Sequence, residues 1–205
     1  MARGGARLPA RLRPLKVPRV VLSGYTRPQM KQLLVVSAIG ENRPDTLLAF
    51  SKAVSDCGCS IAESRMHLLG TDFALQALVT GAWNMVAKFE TTLPRLEKDL
   101  GLKIHAHRTA ERPARDELVP YSVDVVCADQ PGIVFNLTDF FASRSIGIEE
   151  VQTHTYLAVH TGAPMFSLYM ALSVPGSIHI PMLREEFLDF CDHLNLDAIL
   201  EPIKG

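Results

Sequence analysis

The stretch Cys127-Ala128-Asp129-Gln130-Pro131-Gly132-Ile133 decides the fold, because an apolar run ends there and an amphipathic segment begins after a short polar turn. This order predicts a β-strand that leads into an α-helix, with Pro131 at the first helical position, where a missing N–H group costs nothing. Gly132 would leave the start of that helix uncovered. Free backbone N–H groups and the positive end of the helix dipole favour a small anion at such a place.

A related stretch, Gly40-Glu41-Asn42-Arg43-Pro44-Asp45, occurs earlier in the chain. Pro44 and Pro131 are 87 residues apart, and so are Glu63 and Glu150. The same offset relates two sets of apolar residues with helical spacing, Leu47, Phe50 and Val54 in the first copy and Val134, Leu137 and Phe141 in the second. A fixed offset over many positions indicates a tandem duplication.

Each copy has the order β-α-β-β-α-β. In the first copy the predicted strands are 33–39, 60–69, 73–79 and 102–106, and the two helices begin at Pro44 and after Gly81. Pro94 lies inside the second helical pattern and predicts a kink or a restart there. In the second copy the hairpin is longer, by residues 156–163.

The predicted fold class is therefore α+β, with two tandem ferredoxin-like units whose helices lie on one face of an antiparallel sheet. We expect a basic extension over residues 1–30, a first domain over 31–108, a charged linker over 109–119 and a second domain over 120–205.

The formal net charge of −1 hides a strong asymmetry. Residues 1–32 contain eight of the 21 basic residues and no acidic residue. The rest of the chain, from Leu33 onward, therefore carries 13 basic residues against 22 acidic ones. An acidic body is a poor match for DNA. The basic beginning lacks the apolar core of a secretory signal, which leaves a transit peptide or, as we favour, an upstream extension before a start at Met30.

Motifs of catalysis are absent from the sequence: it contains no nucleophile elbow, phosphate-binding loop, zinc-protease motif or dinucleotide fingerprint, so we predict no enzyme. Four irregularly spaced cysteines suggest a reduced, cytosolic protein. We expect Cys57 and Cys59 to be buried rather than to bind metal, and Trp83 to anchor the core. His105 and His107 should share one side of a strand.

The tandem order, together with Asp129-Gln130-Pro131-Gly132 at a strand-to-helix turn, resembles a pair of ACT domains, which are small amino-acid-sensing modules. The run Ser55-Asp56-Cys57-Gly58-Cys59-Ser60-Ile61-Ala62-Glu63-Ser64-Arg65-Met66, with Gly81-Ala82-Trp83-Asn84, is similar to the glycine cleavage system transcriptional repressor family. The resemblance covers residues 31–203.

This resemblance implies a regulator without catalysis and without a cofactor. The family represses glycine-cleavage genes by binding a LysR-type activator protein, and glycine relieves the repression; the activator contacts the DNA. Homo-oligomers are also expected, because ACT units commonly pair. The alternative is an ACT-type regulatory subunit or sensor that controls a metabolic enzyme.

A zwitterionic amino acid needs donors for its carboxylate and an acceptor for its ammonium group. In the second copy the helix start, a region that runs from Gln130 through Pro131 and Gly132 to Ile133, would supply N–H donors from its residues other than proline. Asp129 is the candidate acceptor. Across an interface between ACT domains, further contacts would come from the next strand, at Glu149, Glu150, Gln152 and Thr153. The alternative is that Asp129 only caps the helix and Gly132 only permits the turn.

The first copy has Asp45 where the family has glycine. Its carboxylate would repel the carboxylate of a ligand, so this copy is the weaker candidate. Asn42, Arg43 and Arg65 are its polar candidates, with Arg43 expected to offset Asp45.

Overall fold

The computed structural model describes residues 31–113 and 117–203, and the basic extension predicted for residues 1–30 lies outside them. The chain divides between Arg112 and Pro113 into two compact units. Each unit contains a four-stranded antiparallel sheet and two helices.

The first unit consists of β1 (Gln32–Glu41), α1 (Thr46–Asp56), β2 (Ser60–Leu69), β3 (Asp72–Gly81), α2 (Trp83–Leu100) and β4 (Leu102–Thr109), with the sheet order β2-β3-β1-β4. The second consists of β5 (Leu118–Ala128), α3 (Ile133–Ala142), β6 (Gly147–Leu157), β7 (Pro164–Pro175), α4 (Ile180–His193) and β8 (Asp197–Pro202), with the order β6-β7-β5-β8. The predicted tandem ferredoxin-like fold is confirmed.

The duplication extends to the details of strand pairing. The pairing of β2 with β3 shifts register between Ile61 and Glu63, and the pairing of β6 with β7 shifts between Ile148 and Glu150. These two irregularities lie at the 87-residue offset. The repeat thus preserves the position at which each edge strand changes register.

Each core lies between the helices and one face of the sheet. Along β1, Leu34, Val36 and Ala38 are buried while the residues between them are not, which is the two-residue period of a strand covered on one face. In the first unit the rings of Phe50 and Phe89 meet edge to face, with centroids 6.0 Å apart. The second core is built around four phenylalanines, Phe140, Phe141, Phe187 and Phe190. We call the other face of each sheet its open face.

Three expectations about the helices need correction. Pro44 and Pro131 do not open α1 and α3; each lies in a turn two residues before its helix. Of the kink or restart predicted at Pro94, the restart is wrong, because Pro94 lies within one uninterrupted helix. Trp83 is 63% exposed and does not anchor the core, because it stands at the first position of α2, where the Arg108 guanidinium lies 5.8 Å from the ring centroid.

All four cysteines are buried and free. The burial predicted for Cys57 and Cys59 is confirmed. Burial raises the pKa of the Cys191 thiol to about 12. Within the described part of the chain, no helix has both the length and the apolar character needed to cross a membrane.

Candidate functional site

The start of α3 is shaped by the backbone conformation of Gly132. Gly132 is the N-cap residue of α3, with φ +90°, and its carbonyl accepts the first helical hydrogen bond from the Asn136 N–H at 2.9 Å. A residue with a positive φ angle cannot belong to a right-handed helix, so the helix cannot extend through Gly132 toward the N-terminus. Pro131 therefore lies in the turn, and the helix begins at Ile133. The N–H groups of the first turn therefore have no acceptor within the helix.

A cleft of about 290 Å³ lies beside this helix start. One wall is formed by the turn before α3, at Gln130 and Pro131, and by Ile133 and Asn136 in the helix itself. The other wall is formed by the end of α4 and the turn that leads to β8, residues 193–196. The Gln130 side chain connects the two walls, since its amide donates to the Leu194 carbonyl at 3.2 Å. Gln130 thus lines the cleft with one of its donors already engaged.

Position 132 needs glycine for its backbone conformation, not for lack of space. A Cβ atom added to Gly132 would come no closer than 3.8 Å to another group, the Asn136 amide nitrogen. There is room for a side chain, so it is the positive φ angle that requires glycine. Asp129 is exposed, and its backbone N–H donates to the Pro164 carbonyl at 3.1 Å.

Glu150, Gln152 and Thr153 do not line this cleft within their own unit. Thr153 on β6 pairs with Leu168 on β7, and Leu168 pairs with Val125 on β5. Val125 lies three residues before the end of β5, so Thr153 is set back from the turn that follows this strand. Glu150 lies farther still from the helix start. Gln152 donates to the Glu150 carboxylate at 2.8 Å, and Ser173 donates to Glu149. These residues lie along the edge strand β6, where they were predicted to face another ACT domain.

In the first unit, Asp45 occupies the N-cap position of α1 without capping the helix through its side chain. Its carboxylate instead forms a salt bridge with Arg43, at 2.9 Å, so Arg43 offsets Asp45 as expected. The Asn42 N–H donates to Thr71 at 3.4 Å. Arg65 lies away from this turn, on β2 opposite Gln76, and pairs with Glu63.

The sequence reasoning missed the second wall of the cleft, which contributes His193 and Asn195. Asn195 has φ +54° and ends α4, as Gly101 with φ +68° ends α2. The pattern Leu194-Asn195-Leu196 matches Leu100-Gly101-Leu102 and was the available signal for a left-handed turn. What the pattern does not show is that this turn packs beside the start of α3.

Comparison with known proteins identifies the family. An ACT domain model matches residues 32–107. The glycine cleavage system transcriptional repressor of Escherichia coli (strain K12) is 31% identical over 170 residues, which cover 83% of this chain and 90% of the relative. The chain belongs to the glycine cleavage system transcriptional repressor family. The protein of that name from Shigella flexneri matches over the same share of each chain with the same identity.

Two solved structures extend the likeness to three dimensions. A crystal structure provisionally assigned as a glycine cleavage system transcriptional repressor has a TM-score of 0.66 and 28% identity, covering 86% of this chain and 99% of that one. A protein of unknown function from Galdieria sulphuraria has a TM-score of 0.69 and 25% identity, covering 85% and 99%. Both matches span the two units, so the likeness covers the whole tandem arrangement.

Proposed function

We propose that this protein is an amino-acid-responsive regulator that represses glycine-cleavage genes through contact with a LysR-type activator protein. The observation that carries the proposal is the 31% identity to a named repressor over 90% of that repressor's length. A regulatory role follows from family membership, whereas the activator and the ligand are inferred from the resemblance.

The charge distribution supports contact with a protein rather than with DNA. Residues 117–203 contain twelve Asp and Glu residues but only two Arg residues and no Lys. DNA-binding proteins neutralise phosphates with Lys and Arg, so this unit would be repelled by a duplex. We therefore propose that the chain makes no direct contact with nucleic acid.

The proposed ligand is glycine or another small amino acid at the start of α3. The first-turn N–H groups of Ile133, Val134 and Phe135 would bind its carboxylate, and Asp129 would accept from its ammonium group. The cleft volume of about 290 Å³ is ample for a molecule of this size, and Asp129 lies next to the lining residue Gln130 without itself lining the cleft. The salt bridge between Arg43 and Asp45 disfavours a second site in the first unit.

A pull-down tests the partner. The tagged full chain, incubated with a purified LysR-type activator of glycine-cleavage genes, should retain that activator, and glycine should reduce the retention. Recovery of a biosynthetic enzyme, with no retention of the activator, would favour the alternative of a regulatory subunit that controls a metabolic enzyme.

Calorimetry with glycine, alanine and serine tests the site. We expect one site per chain, and we expect Gly132→Val to weaken binding by about tenfold or more, because a β-branched residue cannot adopt the positive φ angle that shapes the helix start. The control is Gly162→Val in the β6–β7 hairpin, where φ is +67° and there is open space for a side chain. Equal affinity in the Gly132 variant, or equal loss in both variants, would contradict the helix-start site.

A further inference from the structure

The open face of the first sheet contains a trough of about 460 Å³, separate from the cleft described above. Strand register places two rows of residues across it. One row runs from His67 through Ala74 and Ile39 to Lys103, and the next contains Gln76, Ser37 and His105. With a strand spacing of about 4.8 Å, each row is about 14 Å wide from β2 to β4.

Two short side chains on the central strands deepen the trough between longer side chains on the outer strands. Ala74 and Ser37 lie on the central strands and form a low floor, while His67 on β2 and Lys103 and His105 on β4 are long and stand at the sides. A flat sheet face with short residues at its centre and long residues at its margins is concave. A volume of several hundred cubic ångströms is typical of small-molecule sites.

The chemistry of the walls favours an anion with an apolar body. Ile39 is half exposed at 50%, so an apolar group lying on it and on Ala74 would remove hydrophobic surface from water. Lys103 offers an ammonium group, and the two imidazoles can each donate a hydrogen bond. The Glu97 carboxylate also lines the trough, 3.6 Å from the Lys103 ammonium, and competes with an anion for it. The lysine side chain is 88% exposed and can turn toward a ligand.

The second unit provides an internal comparison, because the duplication places other residues at the same positions of its open face. Asp124, Val126 and Asp197 stand where the first unit has Ser37, Ile39 and Lys103, and Tyr169 stands where it has Gln76. Carboxylates thus replace the lysine and Ser37, and a bulky ring replaces Gln76. The anion-binding features are therefore specific to the first unit and are not a property of the fold.

We propose that this trough is a second ligand site, which binds a small organic anion: a carboxylate or phosphate ester on a flat apolar body. The anionic group lies at Lys103 and His105, and the body lies on Ile39 and Ala74. The site is independent of the amino-acid site proposed at the start of α3, because the two are on different units.

Amide NMR spectra of the full chain test the proposal, with sodium benzoate and phenyl phosphate as probes and benzyl alcohol as the neutral control. We expect saturable shifts at Ile39, Ala74 and His105 with a dissociation constant on the order of 1–10 mM for at least one anion. The tighter of the two anions identifies the preferred head group. We expect benzyl alcohol to bind about threefold or more weakly. The equivalent residues of the second unit, Val126, Ser167 and Ile199, should stay unshifted.

Two variants with opposite expected effects separate binding from misfolding. Lys103→Gln should weaken binding of the anion about threefold, and Glu97→Gln should strengthen it by a similar factor, because it removes the competing carboxylate. Both side chains are at the surface, and neither is part of the core. Absence of shifts up to about 20 mM, equal binding of benzyl alcohol, or the same affinity in both variants would overturn the proposal.

Discussion

Thr46 and Ile133 occupy equivalent positions at the start of α1 and α3, yet their burial has different consequences. Both are buried, at 1% and 4% exposure, and Ile133 belongs to the second core. The Thr46 hydroxyl has no hydrogen-bond partner among residues 31–113 and 117–203. A buried hydroxyl that has lost its bonds to water and gained none in the protein is destabilising.

We predict that Thr46→Val raises the free energy of unfolding by about 1–2 kcal/mol, because valine has the same shape without the unpaired hydroxyl. Urea denaturation followed by circular dichroism measures the change. The reverse substitution at the equivalent position, Ile133→Thr, should lower the free energy of unfolding by about 1–3 kcal/mol. A loss of stability in Thr46→Val would show that the hydroxyl has a partner, such as a bound water.

At the level of single elements, α2 is unusual because Pro94 lies inside it. The helix runs from Trp83 to Leu100 without a break, although proline removes one helical hydrogen bond and crowds the preceding turn. We predict that Pro94→Ala, at an exposed position, removes a helix cost of about 1–3 kcal/mol and so raises the free energy of unfolding. The gain is reduced because proline also lowers the conformational entropy of the unfolded chain, and alanine gives up that benefit. Thr91→Ala in the same helix is the control for a small change in helix propensity. No gain in urea denaturation would show that the helix already accommodates the proline without loss.

The contact between α2 and β4 is reinforced by an ion pair. Arg108 donates to both oxygens of the Glu90 carboxylate, at 3.0 and 2.7 Å. These hydrogen bonds lower the pKa of Glu90 from its ordinary value of 4.5. A carboxyl group with a lowered pKa stabilises the folded state above its ordinary pKa, and that contribution is lost as the pH falls through the lowered value.

We therefore predict that Glu90→Gln makes the protein slightly less stable at pH 7 and flattens the fall in stability below pH 4.5. Thermal unfolding at a series of pH values measures both effects. Glu41→Gln, at the exposed end of β1, is the control for removing one surface carboxylate. A parallel loss of stability at every pH in the Glu90 variant would assign the effect to packing rather than to ionisation.

For the whole molecule, the exposed edges of the sheets bear on assembly. All ten residues of β2 are exposed, and Met66 and Leu68 are large apolar residues on this edge strand, at 45% and 51% exposure. Soluble proteins usually protect such an edge with charge or cover it with another chain.

We predict that the 22.6 kDa chain forms a homo-oligomer, and that static light scattering will give at least twice the mass of one chain. Placing charge on the edge with Met66→Lys and Leu68→Lys should lower the mass to that of one chain. Leu48→Lys on the exposed surface of α1 is the control. A single-chain mass for the unmodified protein would refute the expectation.

The sequence predicted the fold well because local patterns carry most of its information. The 87-residue offset and the two-residue and helical periods indicated the order of elements in both copies, and the comparison with known proteins confirms the ACT fold and the repressor family. Trp83 shows the limit of such patterns. An apolar residue at the entry of an amphipathic helix was assigned to the core, but it is exposed and lies beside Arg108 of β4.

By itself, the sequence determined the duplicated architecture, the family and the asymmetry between Asp45 and Gly132, since these depend on residues close together in the chain or on a fixed repeat. The tertiary structure decided which groups meet. It placed residues 193–196 beside Gln130, separated Glu150, Gln152 and Thr153 from the start of α3, and assembled His67, Ile39 and Lys103 into one trough. The physical reason is that strand register and the packing of turns join residues from distant parts of the chain, and no local pattern records those contacts.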